Sequence, residues 1–327
     1  MRFVFEYHPV IGHRFIPFIK ARILHESGGY LIRCNNLGFR CNRDIKPRTT
    51  SRKRRILIFG DSYTAGEGVC NEARYSDQLE LISKDVEIYN FGLPGTGTDQ
   101  QYLAYKTYAE NLQPDLVIIS IMVENIRRNF CRYRPFYMEN REIRWFAKPY
   151  YSLNGENLFL HNQPVPPTPF KLGDLSMEER RYCDQGGRYK VFRDLAKKLA
   201  LKDRLLRLGL YNPIPEFKSP LDPSWQLMRA ILKYWISECT SPVLLNVLPL
   251  YHFVEEYARP TDYQARFKEF TKETGVLLHD PLAHLLKYSP RERREFRFPV
   301  ADAHPTEKCH RALAESMEPV ITSILGR

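Results

Sequence analysis

Several things are scarce in this chain of 327 residues, and each scarcity removes a class of protein. No apolar run approaches the roughly 20 residues that a bilayer-spanning helix needs, so no membrane span is expected. The first residues, Met1-Arg2-Phe3-Val4-Phe5-Glu6-Tyr7-His8-Pro9, lack the apolar stretch and small-residue cleavage site of a secretory signal. The seven cysteines are odd in number and irregular in spacing, which favours reduced thiols over a disulfide framework and points to a cytoplasmic protein. Neither CxxC nor HExxH occurs, and Cys34 and Cys41 stand too far apart for a zinc knuckle, so no metal is expected. Acidic residues are also short, with 38 Asp and Glu against 49 Lys and Arg and a formal charge of +11. Such an excess raises nucleic acid, anionic lipid or an acidic substrate as partners. The basic clusters at 52–55, 127–134, 141–144 and 291–297 come without a nucleic-acid-binding motif. Most of them read as solvated surface, and no specific nucleic-acid partner is expected.

Hydrophobic residues make up 43% of the chain, enough for a sizeable core. Residues 1 to 50, with Gly28-Gly29 and Asn35-Asn36-Leu37-Gly38, read as an extended arm or small hairpin. From Ile56 the pattern turns regular. Ile56-Leu57-Ile58-Phe59 is a fully apolar run with the character of a buried parallel strand. Helical spacing follows over 75–82, and then a strand over 86–91 that ends in Gly92-Leu93-Pro94-Gly95-Thr96-Gly97. Thr98 and Gln101 form a candidate capping box for a helix reaching about Asn111. Leu116 to Val123 is a second buried strand of the same type, which completes a βαβαβ unit with right-handed crossovers.

Past Asn129 the rhythm stops. Residues 130 to about 223 are rich in aromatics, proline and arginine, with a basic, helix-like stretch from Met177 to Leu210. They read as an insertion over one end of the sheet, on the active-site edge. Beyond it are a helix at 225–238, a strand at 243–248, a helix at 263–274, a strand at 276–278 and a last helix at 306–325. The sum is one α/β domain over 51–327 with about five parallel strands, interrupted by the insertion and preceded by the arm.

Chemistry concentrates at two points. Gly60-Asp61-Ser62 places a serine two residues beyond the first buried strand, at the sheet edge where ligands bind. The second glycine of G-x-S-x-G is missing, which excludes the nucleophile elbow of α/β-hydrolases. Alone, the tripeptide is better read as a strand-ending turn, since Gly, Asp and Ser are all turn formers. Asp302-Ala303-His304-Pro305 directly precedes the last helix, which returns His304 to the same edge. Ser62 is then a candidate nucleophile, His304 its base, and Asp302 the carboxylate that fixes the imidazole tautomer.

These residues, taken in order, resemble the blocks of the SGNH/GDSL hydrolases, a flavodoxin-like three-layer α/β family of serine esterases. Gly60-Asp61-Ser62 resembles the first block, Asn90-Phe91-Gly92-Leu93-Pro94-Gly95 the second, and Asp302-Ala303-His304-Pro305 the last, with Cys309 where a glycine is usual. The resemblance covers residues 54–129 and 240–325. It implies that the oxyanion is held by the N–H groups of Ser62 and Gly95 and by an asparagine side chain, with no cofactor. The third block departs from the pattern, because ungapped counting puts Glu124 at the asparagine position and Asn125 next to it. A carboxylate repels an oxyanion, so Asn125 is expected to turn inward and donate; the alternative for it is a helix cap. The acid also departs, since it stands two residues before the histidine where many members have it three before, at Ala301 here. Asp280 is the reserve acid.

Arg127 and Arg128 follow the third block closely and are expected at the pocket mouth. There they bind an anionic substrate or, equally, pair with Glu124 or with solvent. The arm, with His8-Pro9 and Asn35-Asn36-Leu37-Gly38-Phe39-Arg40, resembles the leader of SGNH proteins linked to bacterial surface polysaccharide loci, which implies a glycan ester as substrate. The resulting expectation is an esterase acting on an acylated carbohydrate. An O-acyltransferase using the same covalent intermediate, or a catalytically impaired binding protein of this fold, are the alternatives.

Overall fold

The computed structural model describes residues 4–48, 53–109, 111–138, 142–183, 212–299 and 304–326. The basic stretch from Met177 to Leu210 lies mostly outside them, as do Ala301 and Asp302.

The chain opens with two antiparallel hairpins, β1 (Phe5–His8) with β2 (Gly12–Phe15) and β3 (Lys20–Ile23) with β4 (Tyr30–Arg33). Phe5, Ile11, Phe15, Ile32 and Phe39 are buried in the same apolar cluster as the central sheet, so the arm packs onto the body of the protein. Next come β5 (Arg54–Gly60), α1 (Ser62–Ala65), α2 (Tyr75–Ile82), β6 (Val86–Gly92), α3 (Thr98–Tyr108), β7 (Leu116–Met122) and α4 (Asn125–Arg128). Two further hairpins fill the described part of the insertion, β8 (Tyr133–Tyr137) with β9 (Ile143–Ala147) and β10 (Tyr150–Asn154) with β11 (Asn157–His161). The domain resumes with α5 (Pro223–Glu238), β12 (Val243–Leu248), α6 (Thr261–Thr274) and β13 (Leu277–His279), and α7 (Glu307–Ile324) follows.

Five parallel strands form the central sheet in the order β13-β12-β7-β5-β6. Numbered by appearance within the sheet this is 5-4-3-1-2, the flavodoxin-like doubly wound order, whose switch point falls between the first and third strands. Here those strands are β5 and β7. Every residue of β7 is buried, as a strand covered on both faces by helices requires. A chain of buried hydrogen bonds crosses this layer. Tyr75 OH lies 3.0 Å from Thr64 Oγ1 and 2.8 Å from Ser120 Oγ, which accepts from Asn246 Nδ2 at 3.0 Å. Asn246 Oδ1 meets His279 Nδ1 at 2.9 Å.

One expected boundary is corrected. Gly97, not Thr98, is the N-cap of α3, and Thr98 Oγ1 caps nothing. The reciprocal bonds of a capping box require an extended N-cap residue, and that conformation belongs to Gly97 (φ −89°, ψ 173°).

Candidate active site

Strand β5 runs out at Gly60, and the chain turns at once into α1. The turn is tight enough that a Cβ on Gly60 would collide with the Thr64 side chain. Asp61, fully buried, caps α1 by accepting from Tyr63 N–H at 3.0 Å. Ser62 is therefore the first residue of a helix at the sheet's carboxyl edge. Its Oγ lies 2.8 Å from His304 Nε2, although 242 residues separate the two in sequence. With the ring proton on Nδ1, the serine hydroxyl donates to Nε2. His304 is held by its backbone, whose carbonyl accepts from Phe298 N–H at 2.9 Å, while Thr306 N–H donates to Phe296 at 2.9 Å.

Around Ser62 are hydrogen-bond donors that no acceptor among the described residues takes up. Ser62 N–H is the first of its helix and has no intrahelical acceptor. Gly95 sits in the Leu93–Thr96 turn with φ 73°, a conformation that disfavours any side chain, and its N–H meets no acceptor among the described residues. Asn125 is fully buried; its Oδ1 accepts from Arg128 at 3.2 Å and its Nδ2 has no partner among the described residues. Glu124, by contrast, is the N-cap of α4 in helical conformation (φ −72°, ψ −11°). Its carboxylate, 40% exposed, accepts from Arg127 Nη1 at 3.1 Å.

Both expected arginines line the cavity beside Ser62, and both guanidinium groups have internal partners. Arg127 makes a two-pronged pair with Glu216, at 2.6 and 3.0 Å, and donates to the Pro213 carbonyl at 2.7 Å. Arg128 Nη1 reaches Asp61 Oδ2 at 2.7 Å, Asn125 Oδ1 at 3.2 Å and the Thr96 carbonyl at 3.4 Å. One nitrogen thus touches all three loops that carry Ser62, Gly95 and Asn125. Burial pushes the Asp61 carboxyl above its ordinary value, while Arg128 and the Tyr63 N–H pull it back down.

The reserve acid, Asp280, is committed elsewhere: it accepts from Tyr263 OH at 3.1 Å and from Gln264 Nε2 at 2.8 Å. Among the described residues, the carboxylate nearest the histidine is one that sequence reasoning missed, Glu67, with Oε2 3.7 Å from His304 Nε2. No sequence signal marks Glu67, because its approach depends on the turn after α1. No group of three or more His, Cys, Asp or Glu side chains converges as a metal site would require, among the described residues.

The cavity has a volume of about 590 Å³, and Tyr63, Phe136, Tyr137, Tyr251 and Arg134 contribute to its wall. A second cavity of about 620 Å³ adjoins it past His304 and Glu67, walled by Phe5, Phe15, Ile23 and Ile32 of the arm. The arm and the insertion therefore both reach the catalytic edge, although neither carries any of the expected catalytic or oxyanion residues.

No protein-family model matches the chain, and no curated protein does. Solved structures that match the chain include a member of the lipolytic G-D-S-L family from Veillonella parvula, 12% identical, with a TM-score of 0.41 over 82% of this chain and 98% of that one. A carbohydrate acetylesterase family member from Sinorhizobium meliloti is 12% identical, with a TM-score of 0.37 over 84% and 100%. A psychrotrophic esterase from a Pseudoalteromonas species is 11% identical, with a TM-score of 0.42 over 84% and 100%. Likeness at this level carries no argument, and the functional reading rests on the site itself.

Proposed function

We propose that the protein is a serine esterase of the SGNH type that removes an acyl group from a carbohydrate. The observation that carries this reading is the Ser62–His304 hydrogen bond of 2.8 Å, set beside unpartnered donors at Gly95 and Asn125. In this reading Ser62 Oγ attacks the ester carbonyl as His304 Nε2 takes its proton. The carbonyl oxygen becomes an anion, and Ser62 N–H, Gly95 N–H and Asn125 Nδ2 receive it. His304 then protonates the departing sugar oxygen. Water repeats the sequence on the acyl-serine and releases the acid. In this reading Asp302, which lies outside the described residues, is the carboxylate that orients the ring, two residues before it in sequence.

The roles of the two arginines follow from their partners. Arg128 holds Asn125 by its oxygen and so aims the amide nitrogen away from itself, toward the oxyanion. Arg127 anchors α4 to the segment around Glu216. The cavity suits a sugar because its wall carries both aromatic and polar side chains.

The test is hydrolysis of p-nitrophenyl acetate and of an acetylated oligosaccharide, with product analysis in the presence of a free sugar acceptor. Release of acetate that is abolished in Ser62→Ala supports the esterase. Transfer of acetyl to the acceptor in preference to water would assign a transferase. Absence of both from folded protein would leave a binding role.

A further inference from the structure

Gly95 N–H belongs to the same peptide plane as the Pro94 carbonyl, and that carbonyl is held from the arm. His13 Nε2, on β2, lies 3.0 Å from Pro94 O. A carbonyl can only accept, so the ring donates from Nε2. His13 is 2% exposed and sits edge-on between Phe5 of the arm and Phe136 of the insertion, at centroid distances of 5.5 and 5.0 Å. Burial, with the nearby Arg134 guanidinium, lowers its pKa to about 3, so the ring is neutral at ordinary pH and its single proton is the one in this bond.

The turn explains why this bond matters. Thr96 N–H donates to the Leu93 carbonyl at 3.3 Å, Pro94 stands at the second position, and Gly95 has φ 73° at the third. This is the signature of a type II turn. Types I and II differ by a flip of the central peptide, here Pro94–Gly95, through about half a turn. In the type II form, with Pro94 O facing His13, the trans peptide turns Gly95 N–H the other way, away from His13, and Gly95 and Ser62 line one cavity. In the type I form the N–H and the carbonyl exchange sides. The next peptide is held as well, because Arg134 Nη1 of β8 donates to the Gly95 carbonyl.

We infer that His13 is a positioning residue for the oxyanion site: its Nε2–H locks the Pro94–Gly95 peptide in the orientation that presents Gly95 N–H to the substrate. The arm is thereby part of the catalytic apparatus. It is itself tied down, since Gln100 Nε2 of α3 donates to the Ile11 carbonyl at 2.7 Å and Tyr7 OH to the Val165 carbonyl at 2.6 Å. This inference rests on the esterase reading of the site.

The test compares wild type, His13→Phe and His13→Gln on p-nitrophenyl acetate. Phenylalanine fills the space without a donor, whereas glutamine can place an amide N–H near the former Nε2. Losing a whole oxyanion donor costs about a hundred- to a thousandfold, and a mis-set donor should cost about ten- to a hundredfold in kcat for His13→Phe. KM should stay within about twofold, the pattern of a contact made only in the transition state. His13→Gln should recover most of the loss. Wild-type kcat in His13→Phe, or equal loss in both variants, overturns the inference. A second measurement needs no variant to fold: the ¹⁵N spectrum of histidine-labelled wild type should show His13 as the neutral Nε2–H tautomer, and the Nδ1–H tautomer would overturn the clamp. Wild-type protein with no esterase activity would defeat the functional reading instead, and the tautomer would still decide whether the peptide is held.

Discussion

Arg128 holds Asn125 by its amide oxygen, at 3.2 Å, and by doing so leaves the amide nitrogen buried and without a partner among the described residues. Glu124, the neighbour that the sequence put in competition for this place, pairs instead with Arg127, which with it lines the cavity wall. Asn125→Ala should therefore lower kcat about a hundred- to a thousandfold with little change in KM. Asn125→Asp should be at least as damaging, because a carboxylate cannot donate. Glu124→Gln should keep kcat within about threefold, since the residue makes no contact in the proposed transition state. Steady-state kinetics on p-nitrophenyl acetate checks all three.

The same arginine neutralises a buried carboxylate. Arg128→Gln leaves Asp61 fully buried without its cation, and removing one partner of a buried pair costs about 3–5 kcal/mol. The double variant Arg128→Gln with Asp61→Asn should regain part of that loss in denaturant titration. Its activity should stay low, because Asn125 is no longer aimed. Equal stability of the single and double variants would show that the pair is not coupled.

Buried histidines set the acid limit of stability. Burial lowers His279 to about 4 and His310 to about 3, both from an ordinary 6.5. Between 6.5 and those values the unfolded chain binds protons that the folded chain refuses, so unfolding takes up protons and stability falls as pH drops. Above 6.5 neither state binds them, and this contribution vanishes. Urea midpoints should be flat above about pH 7 and fall steadily toward about pH 4. His279→Gln should flatten that slope by about one proton.

Gly95 is held to its turn by backbone conformation and by its neighbours together. Its φ is 73°, and a Cβ there would overlap the Arg134 guanidinium. Gly95→Ala should reduce kcat at least as much as His13→Phe, while leaving the far-UV circular dichroism unchanged. Full activity in Gly95→Ala would remove this peptide from the mechanism.

The central sheet was legible because three of its strands carry long, largely apolar runs, as strands covered on both faces must. Ile56-Leu57-Ile58-Phe59 within β5, Leu116–Met122 and Val243–Leu248 carry that mark. The hairpins of the arm and insertion were not legible in detail, because their short strands mix arginine, histidine and aromatics without a clean period of two. Ser62 and His304 could be paired from motif order alone, and the structure puts them 2.8 Å apart. His13, Glu67 and Arg134 could not be found this way: each reaches the site from an element whose packing is decided by tertiary contacts. The choice between Glu124 and Asn125 turned on where α4 begins, a matter of one residue in backbone conformation, which residue counting cannot resolve.

The central claim is that Ser62 is a nucleophile activated by His304. Intact-mass and peptide mass spectrometry after exposure to a fluorophosphonate tests it most directly. The account predicts one phosphonyl adduct on the Ser62 peptide of wild type and none in Ser62→Ala or His304→Ala. Folded wild-type protein that takes no label, or label that persists in Ser62→Ala, would contradict it.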